Sequence, residues 1–302
     1  MTHGRAVAVM IAATLMWSIA GVVTRHLEAA KSFEVTFWRS AFNALALIVL
    51  LGWLRGPAPL VRSLRDGGRV LWISGLCWSV MFTAFMVAIT LTTVANVLVT
   101  MAVAPLLTAL VARLALGHRL ALRTWIAIAV AGVGIGWMYA REIVGSEPRH
   151  LLGIAIALGV PVAAAINWTV IQATTRTSAG VKPGPDLLPA VLIGALISAV
   201  VTLPLSLPFS ASPHDLGLLA MLGLVQLAIP CLMSVAVARV LAAPEISLLA
   251  LLEVIFGVAW AWLGAGEAPS GAVIGGGLLV LGALAANELL ALRGRVAQAT
   301  LP

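Results

Sequence analysis

The sequence predicts an all-α membrane protein: ten transmembrane helices in two inverted five-helix repeats, with both termini cytoplasmic. Three observations carry that expectation. Of 302 residues, 62% are hydrophobic and only 10% are charged, whereas soluble domains average about 25% charged. The apolar residues come in runs long enough to span a bilayer, roughly 18 or more without charge. From Val70 to Ala112 there is no Asp, Glu, Lys or Arg, which is room for two crossings. Finally, two stretches of one build recur. Asn96 to Leu120 and Ala243 to Pro269 each have a polar-flanked start, an apolar run with one unusual residue near its middle (Pro105, Glu253), a small-residue turn and then a Gly-rich apolar helix.

Taken in order, the spans fall at 5–26, 33–54, 70–91, 94–116, 122–140, 151–175, 187–208, 215–238, 245–264 and 270–292. Runs this long that do not alternate are helices and not barrel strands. The first run, Ala6 to Val23, is longer than a signal-peptide core and no small-x-small cleavage site follows, so it reads as a retained span. The loops on one side hold only Arg25, Lys31, Arg141 and Arg149, and every other Lys and Arg except Arg39 falls on the opposite side or at its edge. Basic residues stay in the cytoplasm, which places both termini inside and requires an even number of spans. No loop is long enough to fold as a separate domain.

The repeat divides the chain at 1–145 and 146–302. Span one carries Trp17-Ser18 and ends Thr24-Arg25, and span six carries Trp168-Thr169 and ends Thr175-Arg176. Five spans per half, an odd number, put the halves in opposite orientation, which is the condition for alternating access in many carriers.

The formal charge of +7 raises the question of nucleic acid, but the arginines sit in short loops between apolar runs, which is topology information and no phosphate-binding stripe. Cys77 and Cys231 lie inside apolar runs and read as small buried residues. The five histidines fall at loops or ends without metal-ligand spacing, and no phosphate loop, nucleophile elbow or paired carboxylates occur. The reading is therefore no enzyme, no metal and no cofactor. The expected partners are the lipid bilayer and a small-molecule substrate.

Charged and polar groups at depth mark a cavity, because each is costly in lipid. Arg39 lies about one turn inside span two; it either pairs with Glu34 or snorkels outward, or it meets a substrate carboxylate. Glu253 sits deeper, with no basic residue within a helical turn, so its carboxylate is protonated, hydrogen-bonded to another helix, or the coupling group of a proton-linked carrier. Trp17, Trp78 and Trp168 stand mid-span, whereas Trp53, Trp125 and Trp137 near span ends read as interfacial anchors. Asn43, Asn96, Asn167 and Gln226 are polar candidates for the same cavity, and Met101 is an adaptable wall. Pro105, Pro161 and Pro230 can kink their helices and are hinge candidates. Gly132, Gly134 and Gly136 in span five, with Gly271, Gly275, Gly277 and Gly282 in span ten, permit close helix contact, either within a monomer or in a weak homodimer.

The patterns FEVTFWRSAFNAL in span two, VAPLLTALVARLALGHRL across span four and LLEVIFGVAWAWLGAGEAP before the Gly-rich last helix resemble the drug/metabolite transporter superfamily, EamA type. Within it, the Trp-bearing first, third and sixth spans look most like the YddG-type aromatic amino-acid exporters. The second half has no counterpart of Arg39, and Val254 stands where the family pattern has Pro. The resemblance implies a central cavity bounded by spans one to four and six to nine, with spans five and ten peripheral. It also implies export of small metabolites, amino acids first, across the inner membrane. A multidrug or quaternary-amine exporter is the alternative in the same class, and a membrane-embedded enzyme or lipid-handling protein the alternative outside it.

Overall fold

The structure, a computed structural model, describes residues 1–116, 122–143, 148–177, 186–238, 240–241 and 243–299, and all regular elements among them are helical. The basic turn Gly117-His118-Arg119, Lys182 and Arg239 lie outside the described residues. In chain order, α1 (His3–Ser18) and α2 (Ala20–Thr24) form one broken rod, followed by α3 (Ser32–Arg55), a short α4 (Pro57–Asp66) and α5 (Gly68–Leu91). A second broken rod, α6 (Val94–Met101) and α7 (Ala104–Leu116), leads to α8 (Leu122–Ile143). The third is α9 (Pro148–Ala157) and α10 (Gly159–Thr177), followed by α11 (Leu188–Ser206). Then come α12 (Pro213–Met221), a π-helical stretch Leu222–Ala228, α13 (Ile229–Val237), α14 (Ala243–Ala265) and α15 (Gly271–Ala299).

Seven helical rods among the described residues are long and apolar enough to cross a membrane: His3–Thr24, Phe33–Arg55, Gly68–Leu91, Val94–Ala115, Pro148–Thr174, Leu188–Ser206 and Pro213–Val237. Three shorter apolar stretches, Trp125–Gly134, Leu252–Ala265 and Gly271–Ala283, fall where spans five, nine and ten are expected.

The two halves of the chain interleave. Helix α11 packs along both α3 and α5, α10 lies against α5 and α7, and α1 runs beside α13 and α14. The α5–α11 approach is close because Gly75 and Gly194 face each other: a Cβ on Gly194 would meet the Cβ of Trp78 at 2.4 Å and the Gly75 carbonyl at 3.0 Å. Ser198 of α11 joins this layer by hydrogen bonds with Ser40 (2.9 Å) and Thr83 (2.8 Å). Helices α8 and α15 pair with one another, with Gly134 against the Gly276 carbonyl and Gly275 against the Trp137 ring. Those glycines thus make a contact within the chain.

At one end of the bundle, buried carboxylates hold the loops. Glu34, fully buried, accepts the N–H groups of Ser210 and Ala211 and the Ser210 hydroxyl at 2.7–2.8 Å. The expected alternative in which Glu34 pairs with Arg39 is therefore corrected: Glu34 is engaged with the α11–α12 loop. Asp215, also fully buried, closes a capping box with Ser212 at the start of α12 and accepts the N–H groups of Glu28, Ala29 and Ala30 (2.8, 3.0 and 3.0 Å). Arg25 donates to Glu267 (2.8 Å) and to the carbonyls of Ile89 and Thr92, while Glu267 accepts the Val94 N–H. At the other end, Arg55 pairs with Asp186.

Candidate functional site

Four helix interruptions converge on the middle of the bundle, each with a local cause. Thr14 and Ser18 turn their hydroxyls back onto the carbonyls of Ile11 and Leu15 just before the α1–α2 break, a bonding that bends helices. Pro105 has no N–H, and the Leu106 N–H goes to Val103 (3.0 Å), so the carbonyls of Met101 and Ala102 receive no α-helical bond. Pro161 likewise offers nothing to the Ala157 carbonyl, where α9 gives way to α10. Pro230 has no N–H for the carbonyl of Gln226, and the turn before it winds as a π-helix. Such widened turns recur at functional sites.

Between these breaks lies a cavity in which the centre of a water molecule can range over about 130 Å³. Its walls come from both halves. Trp17 contributes from α1; Trp78, Met81, Phe82 and Phe85 from α5; Met101 and Pro105 from the second break; Pro161 and Trp168 from the third; Gln226, Leu227 and Cys231 from the π-helix and α13. The Trp78 and Trp168 rings meet edge to face at 6.1 Å, and Trp78 leans on Phe82 at 5.5 Å. Aromatic pairs favour such offset geometries.

Two lining residues carry formal charge. Arg39, 1% exposed, donates from Nη1 to Gln226 Oε1 (3.2 Å) and from Nη2 to the Phe82 carbonyl (3.1 Å), with its guanidinium 5.6 Å from the Phe85 ring centre. Its Nε has no partner. Gln226 is held in turn, because its amide donates to the Trp17 carbonyl at 3.2 Å. Glu253 of α14 also lines the cavity, 9% exposed, and no ion pair joins it to Arg39.

The sequence candidates divide on this geometry. Trp17, Arg39, Trp78, Met101, Trp168, Gln226 and Glu253 line the cavity, as do Pro105 and Pro161; Pro230 does not, although the π-helix it follows supplies Gln226 and Leu227. Asn43, Asn96 and Asn167 lie outside the lining, which corrects their expected place in it. Asn43 is buried where α3 meets Gly223, at a helix contact so close that a Cβ on that glycine would meet the Asn43 backbone at 2.7 Å. Asn96 stands in the first turn of α6, its N–H capped by Thr93 and its amide bonded to Thr92. Asn167 accepts from Ser74 at 2.6 Å across the α5–α10 contact. Met81, Phe82, Phe85, Leu227 and Cys231 line the cavity without having been singled out: nothing in their type or spacing distinguishes a cavity-facing apolar residue from a packed one. The three end-of-span tryptophans sit outside, with Trp53 82% exposed and Trp125 beneath the Arg113 guanidinium.

A cavity walled by both halves and reached by broken helices is the architecture of carriers that bind at mid-membrane. Residues 4–140 match the model of the EamA-like transporter family. Over this stretch the chain is similar to EamA-like transporters. The stretch supplies α1 to α7 and most of α8, hence Trp17, Arg39, Trp78, Met101 and Pro105 of the cavity wall. Together with the seven crossing-length apolar helices it makes the chain a multi-pass membrane protein. No curated protein matches the chain. A solved structure titled only "Crystal structure of protein" shares the fold, with a TM-score of 0.64 and 19% identity over 96% of this chain and 99% of its own. The likeness in fold therefore extends past residues 4–140 through the second half.

Proposed function

We propose that the chain is a secondary transporter of the inner membrane that exports small metabolites by alternating access, amino acids with aromatic or large neutral side chains first. In this reading ten spans form two inverted repeats, 1–145 and 146–302, with both termini cytoplasmic; the three shorter apolar stretches are spans five, nine and ten. The single observation that carries it is the cavity, where three tryptophans from α1, α5 and α10 surround a buried arginine, a glutamine and an acid. Few polar groups in an apolar, aromatic hollow describe a site for an amphiphile. The similarity of residues 4–140, which build one part of its wall, to EamA-like transporters supports movement of that amphiphile rather than its chemical conversion. The broken helices at Pro105, Pro161 and Pro230 are the hinges about which the halves rock.

Glu253 is the group through which a proton gradient would couple. Purified protein in liposomes, screened over labelled amino acids with and without a proton gradient, tests the proposal. Uptake of aromatic or large neutral amino acids above empty liposomes supports it, and none for any amino acid overturns the substrate class. If transport responds to pH, Glu253→Gln removes that response; an unchanged response takes Glu253 out of coupling. A second reading, a quaternary-amine exporter, is favoured by the same unpaired acid beside aromatic faces, since cations bind such faces. A labelled quaternary amine in the same liposomes decides between them.

A further inference from the structure

We infer that the cavity is a receptor for a zwitterion. The ligand's carboxylate sits at Arg39 and the Trp78 indole N–H, its ammonium at Glu253, and its apolar body against Trp17 and Trp168. This rests on the transport reading above and adds to it the rule by which ligands are chosen.

Three polar groups of the cavity wall lack a partner among the described residues. Arg39 Nε and Trp78 Nε1 are buried and bonded to nothing. Glu253 receives no hydrogen bond and forms no ion pair. Buried charges are normally paired, and buried indole N–H groups normally find an acceptor. Arg39's hydrogen-bond partners, Gln226 Oε1 and the Phe82 carbonyl, are neutral, so they orient the guanidinium without neutralising it. They also hold Arg39 short of an ion pair with Glu253: both Nη atoms are tied to α5 and the π-helix, and Gln226 is itself fixed to the Trp17 carbonyl, so the two charges act on one another across the hollow without closing into contact. The result is a fixed positive end and a separate negative end on one apolar hollow. The other unpartnered buried atoms, on Trp38, Asn43, Asn96 and Asn167, belong to residues outside the lining.

A molecule carrying both a carboxylate and an ammonium answers all three groups. A carboxylic acid without the amine leaves Glu253 unanswered, and an amine without the carboxylate leaves Arg39 and Trp78. Leaving such a group unmatched costs about 1.5–3 kcal/mol, on the order of 10- to 100-fold in affinity. The proton and the ligand's ammonium then compete for one carboxylate, which links ligand choice to the coupling group.

The test is competition against labelled phenylalanine uptake in liposomes holding the full-length protein. The competitors are phenylalanine, phenethylamine (no carboxylate) and 3-phenylpropionate (no amine). The wild type is expected to admit phenylalanine and to take each truncated compound on the order of 10- to 100-fold more weakly. Arg39→Gln shifts preference toward phenethylamine, and Glu253→Gln shifts it toward 3-phenylpropionate. Trp78→Phe, which keeps a ring and removes the N–H, weakens phenylalanine and 3-phenylpropionate more than phenethylamine. Shifts of opposite sign cannot come from a general loss of folding. Equal competition by all three compounds in the wild type overturns the inference, as do variants that change all three alike; in either case amino-acid transport stands. Entry of a labelled quaternary amine without any phenylalanine uptake overturns the inference and the amino-acid reading together.

Discussion

Gly194→Ala adds one methyl group at the closest approach of two helices that build the cavity, and its effect can be worked out in advance. The new Cβ would lie 2.4 Å from Trp78 Cβ, 3.0 Å from the Gly75 carbonyl oxygen and 3.0 Å from the Ser79 nitrogen. Carbon atoms rest about 3.5–4.0 Å apart, so α5 and α11 must separate by roughly 1 Å or the α5 backbone must bend. Two of the three obstructing atoms are backbone and cannot rotate away. Overpacking of this kind costs about 1–3 kcal/mol, and the backbone contacts put this site at the upper end. At about 2–4 °C per kcal/mol for a chain of this size class, the apparent midpoint of thermal unfolding in detergent should fall by roughly 5–10 °C. The matched control is Gly132→Ala in α8, where nothing lies within 4 Å; there, alanine's better helix propensity should leave the midpoint unchanged or raise it slightly. Because the displaced atom is Trp78 Cβ, Gly194→Ala should also weaken uptake of an aromatic substrate. Equal midpoints for the two variants would refute the close α5–α11 contact from which the position of Trp78 is argued.

Other perturbations have separate readouts. Asp215→Ala leaves the N–H groups of Glu28, Ala29, Ala30 and Ser212 without their acceptor, and should lower stability by about 3 kcal/mol, whereas His214→Ala, at an exposed neighbour, should change it little; equal shifts would mean Asp215 does not hold the loops. Arg25→Gln breaks a partly exposed ion pair with Glu267, so less than about 1 kcal/mol of its cost should come from the pair, and that part should shrink in high salt when measured against the Arg25→Gln/Glu267→Gln double variant. Trp168→Ala should reduce transport more than Trp125→Ala, because Trp168 walls the cavity and Trp125 is 41% exposed beneath Arg113; equal losses would mean that depth along a span does not select cavity residues.

The sequence made the helical class, the crossing-length runs and the mid-span tryptophans legible, since all three depend on length and depth alone. Depth was the wrong guide for the asparagines. A polar residue at span depth can be engaged by the preceding turn or by a neighbouring helix, as Asn96 is by Thr92 and Asn167 by Ser74, and one chain read in isolation does not show which neighbour stands opposite. The same limit hid Phe82. Its ring packs on Trp78 and its carbonyl holds Arg39, a role played by a backbone atom that every residue type possesses. Glu34 was misread for a related reason: five residues from Arg39 in sequence, it faces away, toward a loop from the other half of the chain.

The helix breaks and the cavity also explain one another. A helix interrupted in lipid leaves carbonyls without donors, and such groups are tolerated at membrane depth only where protein or a water-filled hollow takes the place of the missing bond. Met101, Ala102 and Pro105 at one break and Pro161 at another all line the cavity, and the π-helix before Pro230 supplies Gln226. The unmet carbonyls of Met101, Ala102 and Gln226 thus belong to residues that line the hollow, and the hollow persists because intact helices do not close over it. The two features impose opposite demands on the chain: the breaks let the helix ends move, while Arg39, tied to α5 and the π-helix, must stay fixed to meet a ligand's charge. Arg39, on the unbroken α3, meets both demands: it is fastened to the unbroken α5 through the Phe82 carbonyl and to the interrupted rod of the π-helix through Gln226, while Trp17, Met101 and Trp168 stand on the other broken rods. Arg39 thus joins an unbroken helix to an interrupted one, and any movement of the rod that carries the π-helix, such as the proposed rocking of the halves, is felt directly at the guanidinium.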